Sequence, residues 1–420
     1  MKRQFELILL SFLVVVPRMA LSQNEEAFYR IGGTVKNAKN KKSIEYVQVA
    51  AVGTNVATIA NADGEFVLKI NKDLPVTEIE LSCIGYYNAR YDITQATPPD
   101  RVFYLSPHPI ELKEIEVLSW KNPADLIEAA IDQIEHNYSP APQLLKAFYR
   151  ETIQKGKKYI NISEAVMDIY KSSYLRNAAG DRVQVLKGRK LLSPRQKDTL
   201  AVKLLGGPNM AVFMDVVKNP EVLLDKECLP FYAYQLKDAV SIDDRLQYAV
   251  QFKPQGITSQ PLYSGIFYID QETLSFTRIE FNMEMRDKAK VTDLILKNKP
   301  RGLRFTPDNI AYIVSYKQQE GKTHLNYIRN EIQFKCDWKK RLFSTRYTVT
   351  SEMVVTGREQ ENVSGIAGKN AFSTRKSLGD EVMLYYDADF WGAYNIIEPT
   401  ESLESAIGKL YSAQEKTSNK

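Results

Sequence analysis

Over most of this chain apolar and polar residues alternate at the two-residue period of a half-buried β-strand. Between residues 276 and 285, Ile279, Phe281, Met283 and Met285 share one side while Arg278, Glu280, Asn282 and Glu284 share the other. Ile310, Tyr312, Val314 and Tyr316 likewise line one side of a later run. Similar runs at 145–153, 158–170, 183–191, 231–242, 246–253, 263–269, 323–334 and 343–355 predict long antiparallel strands. Residues 144–412 therefore read as one curled antiparallel sheet, a half-barrel. The period breaks at 194–224, where Leu200, Leu204, Val212, Phe213, Val216 and Val217 surround Gly206-Gly207-Pro208. That pattern predicts a helical insertion of two short helices for the sheet to curl around.

The first quarter of the chain has shorter strands about ten residues apart, the rhythm of a sandwich. Its runs are Tyr29 to Val35, Tyr46 to Ala50, Asn61 to Leu68, Ile79 to Tyr87 and Ile115 to Val117, with Asp63-Gly64 read as a hairpin turn. A seven- or eight-stranded β-sandwich over 26–119 follows. Residues 120–143 form a helix and linker: Asn122 caps, Pro123 takes the first position, and Leu126, Ile127, Ala130, Ile131 and Ile134 share one face. Such a face must be buried, here against the sheet that follows. A helix-like segment, Glu401 to Leu410, precedes a tail at 413–420 that reads as disordered. The fold class is mainly β with some α.

Lys2 and Arg3, an apolar run from Leu7 to Val16, and small residues at Ala20 and Ser22 make 1–22 a signal peptide cleaved before Gln23. The apolar run is about half the ~20 residues a membrane-spanning helix needs. The protein is thus expected to be exported, periplasmic or associated with the outer membrane. The formal charge of +5 is carried by interspersed acids and bases rather than a basic stripe, which argues against nucleic acid. Three cysteines allow at most one disulfide, and Cys228 with Cys336 is the one pair to consider, because Cys83 falls in an apolar strand.

Gly33-Thr34-Val35, Val47 to Val52, Asp63-Gly64-Glu65-Phe66, Ile84-Gly85-Tyr86 and Leu112 to Val117 resemble the carboxypeptidase-regulatory-like domain. The resemblance implies a transthyretin-type sandwich of a kind common on exported proteins of Bacteroidota, and it implies no catalysis. The hairpin Tyr263 to Asp270 with Phe276 to Phe281 resembles periplasmic lipoprotein-carrier half-barrels, which implies an incomplete barrel able to hold an acyl chain. The run Tyr386 to Pro399 is similar to the ending of exported proteins that join such a sandwich to such a sheet.

Catalytic and metal constellations are weak throughout. His108-Pro109-Ile110-Glu111 has the His-x-x-Glu spacing of a zinc carboxypeptidase, but two prolines preclude a helix there and a convergent third ligand is missing from the pattern. Asp243-Asp244 reads as a strand-to-strand turn, and Asp387 with Asp389, next to Trp391, as residues that cap or hydrogen-bond the chain's return, rather than as acid and base pairs. No catalytic residue, metal ligand or cofactor is expected, and the chain is not expected to be an enzyme. Asp198-Thr199-Leu200 resembles an O-glycosylation motif of Bacteroidota, which makes Thr199 a candidate attachment site, against a reading of Asp198 as a helix-start residue.

Two function classes stay open, with a hydrolase a distant third. In one, a non-catalytic cell-envelope protein binds a hydrophobic ligand or lipidated partner in the half-barrel, with the sandwich as docking module; Ile279, Phe281, Met283, Tyr312 and Tyr316 would line the space. In the other, the chain is a structural or assembly accessory of an outer-membrane complex and holds no small ligand. A carrier needs an apolar void of roughly 300 Å³ or more, whereas a scaffold fills that space with its own side chains.

Overall fold

A computed structural model describes residues 27–418 except 95–96, 99, 110–119, 121, 177, 196–197, 199, 257, 259–260, 340–343, 375, 387–391 and 393. The signal peptide expected at 1–22, the strand at Ile115 to Val117, Thr199, and Asp387 with Asp389 lie outside the described residues.

The N-terminal unit is a sandwich of seven described strands: β1 Phe28–Asn37, β2 Gln48–Ala51, β3 Ala57–Ile59, β4 Glu65–Asn71, β5 Glu78–Ser82, β6 Ala89–Asp92 and β7 Arg101–Leu105. One sheet runs β4-β1-β7 and the other β3-β2-β5-β6. Inward residues such as Ile31, Val49, Leu68, Leu81 and Phe103 are fully buried between them, as alternation requires. Asp63-Gly64 makes a tight turn but not the expected hairpin. The strands it joins, β3 and β4, belong to different sheets, and the Asn61 side chain holds the crossing by accepting from the amides of Asp63 and Glu65. Gly64 is required there: its φ is +80°, and a Cβ would lie 2.8 Å from the Val35 carbonyl oxygen.

Two helices follow, α1 Pro123–Asp132 and the single turn α2 Ile134–Asn137. Asn122 Oδ1 accepts from the Ala124 amide, as its capping role predicts, and Leu126, Ile127 and Ala130 are buried in the core of the large sheet.

The rest is organised by one ten-stranded antiparallel sheet. Its strands are β8 Gln143–Lys155, β9 Lys158–Lys171, β10 Arg182–Leu192, β12 Tyr232–Ile242, β13 Arg245–Pro254, β14 Tyr263–Asp270, β15 Phe276–Met283, β17 Leu303–Gln319, β18 Lys322–Trp338 and β19 Thr345–Glu359. The order is β10-β9-β8-β19-β18-β17-β15-β14-β13-β12, so the sheet is open, with β10 and β12 at its edges. Asp243 and Asp244, both at positive φ, form the two-residue turn between β12 and β13. Among its described residues the insertion contains one α-helix, α3 Pro208–Phe213, and a single 3-10 turn at Pro220–Val222. A further helix, α4 Lys288–Ile295, was not foreseen; Asp287 caps it and Val291 and Ile295 bury one turn apart. The insertion and α4 are joined where β11 Lys203–Leu204 pairs with β16 Leu296–Asn298. Together they roof the concave face.

The convex face carries the sandwich. Ile59 packs with Phe148, Tyr327, Val354, Ile396 and Ile397, and Tyr46 closes the cluster. After the single turn α5 Leu378–Glu381, residues 395–399 run as a strap between sandwich and sheet. Asn395 exchanges two hydrogen bonds with the Lys69 backbone on edge strand β4, and the Ile396 carbonyl accepts from Thr58. Beneath the strap the fully buried Glu164 accepts from Arg150 at 2.6 Å and also pairs with Arg189. Arg150 in turn donates to the Ile397 carbonyl. The last helix, α6 Glu401–Ser418, runs on through the region expected to be a disordered tail. Leu403 and Leu410 pack on Ile162 and Leu191 of the convex face, which gives the helix a reason to form.

Glu164 yields a test of this mooring. Burial opposes its charge, but Arg150 and Arg189 outweigh it and hold the carboxyl below its ordinary 4.5. A carboxylate depressed on folding stabilises above its unfolded value, and that contribution is lost as pH falls through the folded one. Glu164→Gln should therefore cost about 3–5 kcal/mol near pH 7. The gap to the parent, measured by denaturant unfolding across pH, should narrow below 4.5.

Candidate functional site

Under the roof two cavities adjoin. The first, about 620 Å³, lies between α3, the turns at 221–231, α4 and the central strands. Its wall is mostly apolar, with Met214, Leu223, Met283, Ile295 and Tyr312 in the interior. At its rim Leu205, Phe213, Phe231 and Leu294 are each about 40% exposed (37–41%), so the mouth is apolar as well. The second, about 540 Å³, lies over β8, β9, β10 and β19 beside Thr374 and residues 376–380. Leu205, Asn330 and Ile332 belong to both walls.

The roof is pinned at one end by a buried polar cluster. Asp215, fully buried on the insertion, accepts from Tyr174 at 2.7 Å and from Tyr316 at 2.9 Å. Lys171 lies 2.8 Å from both Asp215 and Asp181. Burial disfavours the Lys171 charge, but the two aspartates overcome it and raise its pKa. Lys218 donates to the carbonyls of Ser172, Ser173 and Arg176, and burial lowers its pKa to about 8. This end of the concave face is filled and holds the roof in place.

The second cavity is the more polar one. Glu151 lies on its floor, hydrogen-bonded to the Tyr149 hydroxyl at 3.2 Å, and burial raises its pKa. Lys190, on the same wall, donates to the Gly379 carbonyl and is shifted the other way by burial. Asp198, beside the candidate glycan site, pairs with Lys155 and Lys158.

Of the five residues expected to line the space, Met283 and Tyr312 do so. Ile279 and Phe281 are on the same face but fully packed, Phe281 stacking on Tyr312 with centroids 4.8 Å apart. Tyr316 is committed to Asp215. Asn330, Ser351, Glu151 and Lys190 were not foreseen. Their signal was present, since each of the first three is a polar residue between apolar neighbours two positions away, as in Ile328, Asn330, Ile332.

All three cysteines are free, so Cys228 and Cys336 are not bridged. The His108 ring lies tilted against that of Tyr87, centroids 4.0 Å apart, and Glu111 lies outside the described residues. Among the described residues no group of His, Cys, Asp and Glu is placed to hold a metal ion. Buried His324 lies 3.1 Å from Gln143, and burial lowers its pKa to about 3. Among the described residues no helix is long and apolar enough to cross a membrane.

Residues 31–117 match the CarboxypepD_reg-like domain family, so the N-terminal sandwich is a domain of that family. No curated protein matches the chain. Among solved structures it is similar to a domain classed with outer membrane lipoprotein-sorting proteins from Vibrio parahaemolyticus, at 10% identity over 59% of this chain and 96% of that one, TM-score 0.26. It is also similar to a DUF1329 family protein from Desulfovibrio piger, at 12% identity over 57% and 93%, TM-score 0.22. Lipovitellin is a third, at 7% identity over 57% and 27%, TM-score 0.27. At such scores the likeness carries no function across.

Three substitutions test this arrangement. Asp215→Asn removes the charge facing Lys171 and should cost roughly 3–5 kcal/mol. Amide exchange in 208–224 should quicken as the roof loosens. Phe281→Ala, in the filled part of the core, should cost about 3–5 kcal/mol, while Met283→Ala, on the cavity wall, should fall near the lower end at about 2 kcal/mol.

Proposed function

We propose that this protein is a non-catalytic, exported carrier that holds an apolar ligand, or the lipid moiety of a modified partner, between its curled sheet and the roof. The observation that supports this reading is the apolar cavity of about 620 Å³, well above the roughly 300 Å³ that separates a ligand site from packing defects. An assembly accessory would fill the interior with its own side chains, and the region of Ile279 and Phe281 is filled in that way. The volume over Met283 and Tyr312 is not. The sandwich, moored on the convex face, leaves the cavity mouth clear and is the part available to an envelope partner.

The decisive experiment is lipid extraction and mass spectrometry of full-length protein purified from its native envelope, with palmitate titration of delipidated protein alongside. Bound acyl species and saturable palmitate binding are expected. Leu294→Trp puts an indole into the void from a partly exposed rim position, so it should leave stability within about 0.5 kcal/mol and abolish binding. A parent protein with neither extracted lipid nor palmitate affinity would leave the scaffold reading in its place.

A further inference from the structure

The floor beneath both cavities is one line of cross-strand neighbours. Tyr312 on β17 pairs with Asn330 on β18, Asn330 with Ser351 on β19, Ser351 with Glu151 on β8, Glu151 with Ser163 on β9, and Ser163 with Lys190 on β10. Beyond Tyr312 the line continues into Phe281. Side chains directly opposite in adjacent strands share a face, so six successive strands present one row that turns from aromatic to polar at Asn330. At ~4.8 Å per strand the row from Tyr312 to Lys190 spans about 24 Å.

The adjoining rows are unlike it. On one side Ile328, Met353 and Tyr149 are neighbours, and on the other Ile332, Val349 and Ile153. A core strand face has no packing reason to carry Asn, Ser and Glu between such rows, because a buried polar group that meets no partner costs stability. Asn330 Oδ1 is in that position, buried without a hydrogen-bond partner, and the residue lies on the wall of both cavities. The aromatic half of the row underlies the first cavity and the polar half the second.

We infer that the two cavities are one site for a single amphiphile, its acyl chain over Met283 and Tyr312 and an uncharged hydroxyl- or amide-bearing head group over Asn330, Ser351 and Glu151. This deepens the carrier reading and rests on it. An uncharged head fits because the row offers amide, hydroxyl and carboxyl groups, and its one carboxyl and one amine oppose each other, giving no net attraction for an anion. Of the other charges on the second wall, Asp198 is answered by Lys158, Lys203 by Asp380 and Lys376 by Glu381, and Lys297 is not free either.

Delipidated full-length protein would be titrated with 1-monopalmitoylglycerol and with palmitate, which share a chain and differ in head group. Monopalmitoylglycerol should bind about tenfold tighter, and the double variant Asn330→Leu, Ser351→Ala should lose that preference while still binding palmitate, which also shows that it folds. Equal affinities in the parent, or a preference that survives in the variant, overturn the head-group assignment and leave the acyl cavity standing. Failure of both probes to bind overturns the carrier reading itself, and release of glycerol from monopalmitoylglycerol overturns its non-catalytic character.

Discussion

The hydrogen-bonded cluster around Asp215 decides how this molecule is put together. A fully buried carboxylate is tolerable only where cations and donors surround it, and its partners come from three places: the ion pair with Lys171 at the end of β9, and the hydroxyls of Tyr174 just beyond and Tyr316 on β17. Satisfying Asp215 therefore fixes the insertion against the sheet at one end. Tyr138, whose hydroxyl donates to the Phe276 carbonyl and whose ring meets those of Tyr174 and Tyr316, ties the linker to the same spot. With the roof anchored there, the curvature of the sheet opens a gap farther along. Side chains of ordinary length fill the anchored end and leave the other end hollow.

A sheet this wide needs both faces covered, and the chain meets that need asymmetrically. The convex face is closed by preformed pieces, the sandwich and α6, with the strap at 395–399 threaded between sandwich and sheet. The concave face is closed by a roof assembled from two distant stretches whose described backbone hydrogen bonds to one another run through β11 and β16 and from the Leu205 amide to the Ile295 carbonyl. The roof's junction thus carries few backbone hydrogen bonds compared with the sheet beneath it, so any opening to admit a ligand belongs to the roof.

Strand faces were legible in the sequence because period two is a local property: the side on which Ile279, Phe281, Met283, Tyr312 and Tyr316 lie follows from neighbours two residues away. Which of them meets empty space was not legible. That depends on where the insertion is anchored, and Asp215 acts through partners 41 and 101 residues distant. The same limit explains Asp63-Gly64, whose turn chemistry was correctly read but whose strands part into two sheets, a matter of tertiary pairing. The polar row was hidden differently. Its members are one residue from each of several strands, and only the register of all those pairings sets them side by side.

That register leaves β8 little freedom. Along this strand Tyr149 and Glu151 point into the concave site, while Phe148 and Arg150 point the other way, Phe148 into the cluster that receives the sandwich and Arg150 to Glu164 and the Ile397 carbonyl. A slip of one residue exchanges the faces: Arg150 would leave Glu164 for the concave interior, Glu151 would face Glu164 across the strands, and the strap would lose its donor. Arg150 would then be buried without its carboxylate, at a cost of several kcal/mol. Mooring the sandwich and placing Glu151 in the row are thus one structural decision, made by the alternation of four consecutive residues.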